Sequence, residues 1–297
     1  MVKKSVIITI ILLALYAGYV KVLKPVPVIQ YNSQGNVIRA EEYMYNDSLK
    51  NCDLVLGTSM AAKLHADKLP ANVYSLAGPG LTVYDELTLI KTLHRHPNYI
   101  FIEGNSVMSP PRPDFQKFLF NAPNYYRKKY VVSMRDAYQP AGQTFTAILG
   151  HASGMIRRFT TYIFNPIVRL FHKGGVVPVD KAKYYAEAKE KTTLADTIAL
   201  KKAFSFLKQD VADLSKSGTK VCFFTMPNDS VVYYSFISVK IREYFIRYFP
   251  KPEFNILPFP DIRQYHTFDQ IHLDDPGSIK FTQELSRGIN AVRIQIR

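Results

Sequence analysis

The chain has 297 residues, 47% hydrophobic and 21% charged, the balance of a globular protein with a real core, in one large domain or two small ones. Two cysteines, Cys52 and Cys222, exclude a disulfide scaffold, and both lie in apolar runs where a thiol packs as a small hydrophobe. The formal net charge of +14 calls for a partner of opposite sign, and the 14 Lys and Arg against 5 Asp and Glu between Pro111 and Lys191 supply +9 of it.

Residues 1–24 read as a membrane anchor. Sixteen uncharged, mostly apolar residues run from Ser5 to Val20, about 24 Å as a helix. Val22, Leu23 and snorkelling by the flanking lysines extend this toward the ~20 residues that cross a bilayer. The rival is a signal peptide cut after Ala17, but Leu15 then stands where a small residue is wanted. An uncleaved single-pass anchor is therefore expected. Lysines on both sides weaken the positive-inside signal, yet both readings carry the remainder across the cell membrane, so the main domain is expected outside the cytoplasm. Residues 25–51 read as a juxtamembrane segment, extended at its Pro-rich start.

From residue 52 an alternation sets in. Strands are expected at 52–57, 72–77, 98–104, 219–227 and 254–260, and helices at 59–69, 81–96, 196–218, 230–249 and 276–296. The strands are apolar runs without period-2 alternation, as suits a mostly parallel central sheet covered on both faces. The expected class is an α/β three-layer sandwich, flavodoxin-like, over residues 52–297. Residues 106–190 interrupt it with a basic, Pro- and aromatic-rich insertion carrying two or three helices. Within it, "MIRRFTTYIFNPIVRLFHK" (155–173) either lies in a membrane interface or packs its apolar side on the main domain.

In an open parallel sheet, ligands bind at the carboxyl ends of the strands, and unusual residues gather there. The first strand ends in "GTS" at Ser59, the second in "SLAGPG" with Gly80, and the third in "EGNS" with Asn105. "FDQIHLDDPG", with Asp269 and His272, follows the last strand. Singly, these read as a helix cap, two turns and a surface loop. Together, in this order, they resemble the SGNH (GDSL-like) hydrolase and acyltransferase superfamily over roughly residues 52–108 and 200–292. Two departures stand out: Gly-Asp-Ser is Gly-Thr-Ser here, and Gly-Asn-Asp is Gly-Asn-Ser. The wording looks like the membrane-anchored branch that modifies cell-envelope polymers, where the alginate O-acetylation proteins and the D-alanyl transfer protein of teichoic acids belong.

The resemblance implies Ser59 as nucleophile, His272 as general base and Asp269 as the group holding the His272 Nδ1–H. It implies an oxyanion hole from the Ser59 and Gly80 backbone N–H groups and the Asn105 side-chain amide. A helix starting at Ser59 would add the positive field of its N-terminus. Among rivals, His266 lacks an acidic residue at the matching spacing, and Asp274 and Asp275 read as caps of the last helix. His94 and His96, two apart, do not share a helix face. No zinc spacing, Walker loop or intact GxGxxG occurs, so neither metal nor cofactor is expected.

The resulting expectation is a membrane-anchored serine acyltransferase acting on a cell-envelope polysaccharide or teichoic-acid-like polymer through an acyl-serine intermediate. Expected partners are the membrane, a membrane-bound O-acyltransferase that hands over the acyl group, and an anionic polymer or lipid headgroups on the basic insertion. Nucleic acid is not expected, because the anchor removes the chain from it. A tethered esterase or deacylase and a non-catalytic envelope assembly protein are the rival readings.

Overall fold

A computed structural model describes residues 2–140 and 194–295, apart from Lys24, Val26, Val28 and Gln30. The amphipathic stretch 155–173 lies outside the described residues. The chain divides into two compact units, residues 1–34 with 121–184, and residues 35–120 with 185–297.

In the first unit, helix α1 (Val2–Leu23) has a mean hydropathy of 2.3 over its most apolar 18 residues. Its 22 residues span roughly 33 Å, enough to cross a bilayer. The Tyr16 hydroxyl donates to the Tyr138 carbonyl. Helix α5 (Ala122–Tyr130) opens on Asn121, whose side chain accepts the Asn124 N–H, and its Lys128 pairs with Asp136 in a nearly buried ion pair.

The second unit is a mostly helical α/β fold around one parallel sheet. The strands β1 (Asp53–Leu56), β2 (Val73–Ser75), β3 (Tyr99–Glu103), β4 (Lys220–Phe224) and β5 (Asn255–Ile256) lie in the order β2-β1-β3-β4-β5. The register sets Val55 beside Ser75 and Phe101, so the segments that leave β1, β2 and β3 emerge side by side. Around the sheet stand α2 (Asn32–Tyr45), α3 (Val83–Thr92), α4 (Pro113–Phe120), α6 (Leu194–Lys216), α7 (Ser230–Tyr233), α8 (Phe236–Tyr248) and α9 (Asp275–Gln295). Val55, Phe101, Cys222 and Phe224 join Phe281, Leu285, Ile289 and Val292 of α9 in one buried cluster. Phe223, whose side chain alternates to the opposite face, meets Phe245 at 4.9 Å and Phe249 at 4.3 Å between ring centroids, and Phe204 of α6 packs edge-on against Phe245 at 4.8 Å. Each of these fully buried rings stabilises the fold by about 1.5–3 kcal/mol.

Three expectations are corrected. Residues 59–69 do not form an α-helix; they make two 3₁₀ turns, Ala61–Lys63 and Ala66–Lys68. Hydroxyls of α9 take the backbone groups a helix would have used. Thr282 accepts the His65 N–H at 3.1 Å, Ser278 donates to Lys63 O, and Ser286 donates to Lys68 O at 2.6 Å. The 230–249 helix is broken in two because Ser235, in extended backbone, caps the next helix by accepting the Ser238 N–H. Residues 25–51 contain α2, which buries Tyr43 and Met44, and from Gly35 onward they belong to the sheet-bearing unit. Arg95 lies 4.4 Å over the Tyr43 ring and donates to Met44 O at 2.9 Å. The segment "NSQGNVIRAEEYMY" is polar on average and five of its nine buried residues are polar or small, so composition does not announce a packed helix here.

Candidate active site

The loop after β5 supplies two of the three central side chains. Thr267 and Leu273 bridge antiparallel, Asp274 N–H donates to His266 O at 3.1 Å, and Phe268 N–H donates to His272 O at 3.1 Å. These bonds close a short hairpin with Asp269–His272 at its tip. Gln270 takes the left-handed conformation (φ +75°), uncommon outside glycine. It is buried, and its carbonyl accepts the Asp229 N–H at 2.9 Å, which holds the strained residue in place. Asp269 Oδ1 accepts the Ile271 N–H at 3.1 Å and the His272 N–H at 2.7 Å. Its Oδ2 lies 2.6 Å from His272 Nδ1. Burial pushes the Asp269 carboxyl up, but the His272 backbone and ring bonds and the Ile271 amide outweigh it, so the group lies below the ordinary carboxylate range.

Ser59 arrives from 213 residues away, in the turn that leaves β1. Its Oγ lies 2.7 Å from His272 Nε2. Both ring nitrogens thus have a partner, and an imidazole with its one proton on Nδ1 would donate to Asp269 and accept the Ser59 hydroxyl proton at Nε2. The expected helix-terminus field is absent at Ser59, because only a 3₁₀ turn follows it.

Two buried carboxylates lie under that turn. Glu86 Oε2 accepts the Gly57 N–H at 2.7 Å. Glu103 Oε2 accepts the Thr58 N–H at 2.7 Å and the Thr58 hydroxyl at 2.9 Å. A methyl group at Gly57 would stand 2.7 Å from Glu103 Oε2 and from Ala61 Cβ, so the backbone approaches the acid only because residue 57 is glycine. Sequence reasoning missed both acids. Glu103 ends an apolar strand and Glu86 shares the buried side of α3 with Val83 and Ile90, so each was visible as a charge on an apolar face.

Gly80 sits in the turn after β2 at φ +76°, a conformation open to glycine, and Gly78 N–H donates to Gly57 O at 3.3 Å, which ties that turn to the Ser59 turn. Asn105 follows β3. Its side-chain amide bonds the Met226 backbone on both atoms, Nδ2 to the carbonyl at 2.9 Å and Oδ1 from the N–H at 2.7 Å. One Nδ2 hydrogen remains for another acceptor. Phe268, 57% exposed, stacks on the His272 ring with centroids 5.7 Å apart, and Lys63 Nζ lies 5.0 Å from its centroid. Of the rivals, His266 is exposed and Asp274 Oδ1 accepts the Gly277 N–H at 2.8 Å at the start of α9. His94 lies beyond the end of α3 at φ +50°. Among the described residues, no group of three His, Cys, Asp or Glu is placed to hold a metal ion.

Fold and site together define an α/β protein in which a serine, a histidine and an aspartate are hydrogen-bonded in series at the carboxyl end of a parallel sheet. Compared with protein-family models, with curated proteins and with solved structures, the chain matches none.

Proposed function

We propose that this chain is a membrane-anchored serine acyltransferase of the SGNH type, a three-layer α/β sandwich acting outside the cytoplasm on a cell-envelope polysaccharide or teichoic-acid-like polymer. The observation that carries the reading is the continuous chain of bonds from Ser59 Oγ to His272 to Asp269, at 2.7 and 2.6 Å. Such a chain activates a hydroxyl that is otherwise a weak nucleophile. The Ser59 oxygen attacks the acyl carbonyl and its proton passes to His272 Nε2. Asp269 stabilises the imidazolium. The tetrahedral oxyanion is met by the Ser59 and Gly80 N–H groups and the remaining Asn105 hydrogen, each such donor lowering the barrier by about 2.7–4 kcal/mol. Collapse returns the proton to the leaving group. The acceptor hydroxyl then repeats the sequence in reverse and regenerates Ser59. Helix α1 supports action at a membrane, where an acyl-exporting O-acyltransferase would be the donor. The basic insertion suits an anionic polymer or lipid headgroups.

The test is mass spectrometry of the full chain in detergent after a brief exposure to p-nitrophenyl acetate at low pH. An acetyl adduct on the Ser59 peptide, absent from Ser59→Ala, is expected. A folded wild-type chain with no adduct there would sink the reading.

A further inference from the structure

Of the four consecutive amides from Gly57 to Met60, three are bonded inward: Gly57 to Glu86, Thr58 to Glu103, and Met60 to Thr58 Oγ1 at 3.3 Å. The Ser59 N–H has no partner among the described residues. Glu86 and Glu103 are almost wholly buried, and Glu86 Oε1 is buried without a hydrogen-bond partner among the described residues. Neutral side chains would satisfy the same two amides without the cost of burying two acids. The arrangement therefore calls for an account beyond turn-making.

We propose that Glu103, backed by Glu86, is a positioning residue for the nucleophile. Resting on the acyl-serine reading above, this assigns Glu103 two effects. Its carboxylate grips Thr58 by the amide and the hydroxyl, which turns the neighbouring Ser59 N–H outward toward the developing oxyanion. Its charge also favours the imidazolium that His272 becomes on taking the Ser59 proton. No proton passes between the acid pair and the substrate. Burial raises both carboxyls. Glu86 is pushed well above the ordinary range, with Glu103 and Asp85 adding to the push and the Gly57 N–H and Arg39 opposing it. At Glu103 the Thr58 N–H and hydroxyl, the Ala61 amide and the His272 charge oppose burial. Both carboxyls therefore lie above the ordinary carboxylate range, and the two bonds from Thr58 to Glu103 carry the positioning role.

The experiment follows the second-order rate of fluorophosphonate labelling at Ser59 from pH 5 to 9 in the full chain, alongside its thermal midpoint. Glu103→Gln keeps an oxygen for Thr58 but removes the charge. It should slow labelling about 10- to 100-fold and move the rising limb of the pH profile to lower pH, because the imidazolium loses a favourable neighbour. Thr58→Val, which removes the hydroxyl bond to Glu103 and keeps the amide bond and both acids, should slow labelling as well. Glu86→Gln supplies a readout independent of activity. A raised folded-state pKa means stability that is full at low pH and is lost as pH rises through that value. The wild-type midpoint should therefore fall more between pH 5 and 8 than that of Glu86→Gln. Labelling of Glu103→Gln and Thr58→Val at the wild-type rate, with unchanged pH profile, would overturn the positioning role while leaving the nucleophile reading intact. A folded wild-type chain that does not label would overturn both.

Discussion

Asp269→Asn should leave the fold in place and slow acylation of Ser59 by about 10⁴-fold, the loss that a misdirected histidine tautomer causes in serine-protease triads. The asparagine oxygen can still accept the Ile271 and His272 N–H groups that shape the hairpin tip. Its amide nitrogen then faces His272 Nδ1, 2.6 Å away in the native chain. A donor at that place forces the ring proton onto Nε2, and Nε2 can no longer accept from Ser59. Asp269 keeps 40% of its side-chain surface in solvent, so water screens much of its charge, and the tautomer carries the larger share of the loss. The measurement is the rate of p-nitrophenolate release in the first turnover, with the thermal midpoint as control. An unchanged midpoint and a rate within tenfold of wild type would remove Asp269 from the mechanism.

Arg293→Ala should destabilise the sheet-bearing unit by about 3–5 kcal/mol. Arg293 reaches from α9 to Asp53 at the start of β1, with Nε 2.8 Å from Oδ2 and Nη2 on the same oxygen. The other Asp53 oxygen accepts the Tyr99 N–H at 3.2 Å, so one carboxylate joins β1, β3 and α9. Asp53 is only 3% exposed. Without the guanidinium, its charge is left nearly dry, and that desolvation, more than the lost attraction, sets the size of the effect. A fall of roughly 10 °C in the thermal midpoint is expected. Asp53→Leu combined with Arg293→Met should recover most of it, because no unpaired charge remains. A single-variant loss below 1 kcal/mol would contradict the account.

How far residues alone reveal this molecule varies with the physics involved. Apolar runs such as "DLVL", "YIFIE" and "KVCFF" announce buried parallel strands, and all three stand where their hydrophobicity puts them. Gly218 ends the helix before β4 at φ +88°, a conformation its lack of a Cβ allows. Short apolar strands place the segments of Ser59, Asp269 and His272 at the sheet's carboxyl end, the resemblance singled out the three residues within them, and the structure sets them within hydrogen-bond reach of one another. The remainder depended on distant partners. The 59–69 segment has helical composition, yet Ser278, Thr282 and Ser286 claim its backbone from more than 200 residues away. Asn105 reads as a free amide, but Met226 occupies both its ends. Thr58 reads as a departure from Gly-Asp-Ser until Glu103 is seen beneath it. An aspartate there would set a second carboxylate against the first, whereas the threonine hydroxyl donates.

Everything rests on Ser59 being a nucleophile that His272 activates. Intact-mass analysis of the full chain in detergent, after exposure to a fluorophosphonate probe and with the modified peptide sequenced, tests this most directly. One adduct per chain on Ser59, lost in Ser59→Ala and at least 10²-fold slower to form in His272→Ala, is the expected result. A folded wild-type chain that stays unmodified, or that takes the probe on another residue, would contradict it.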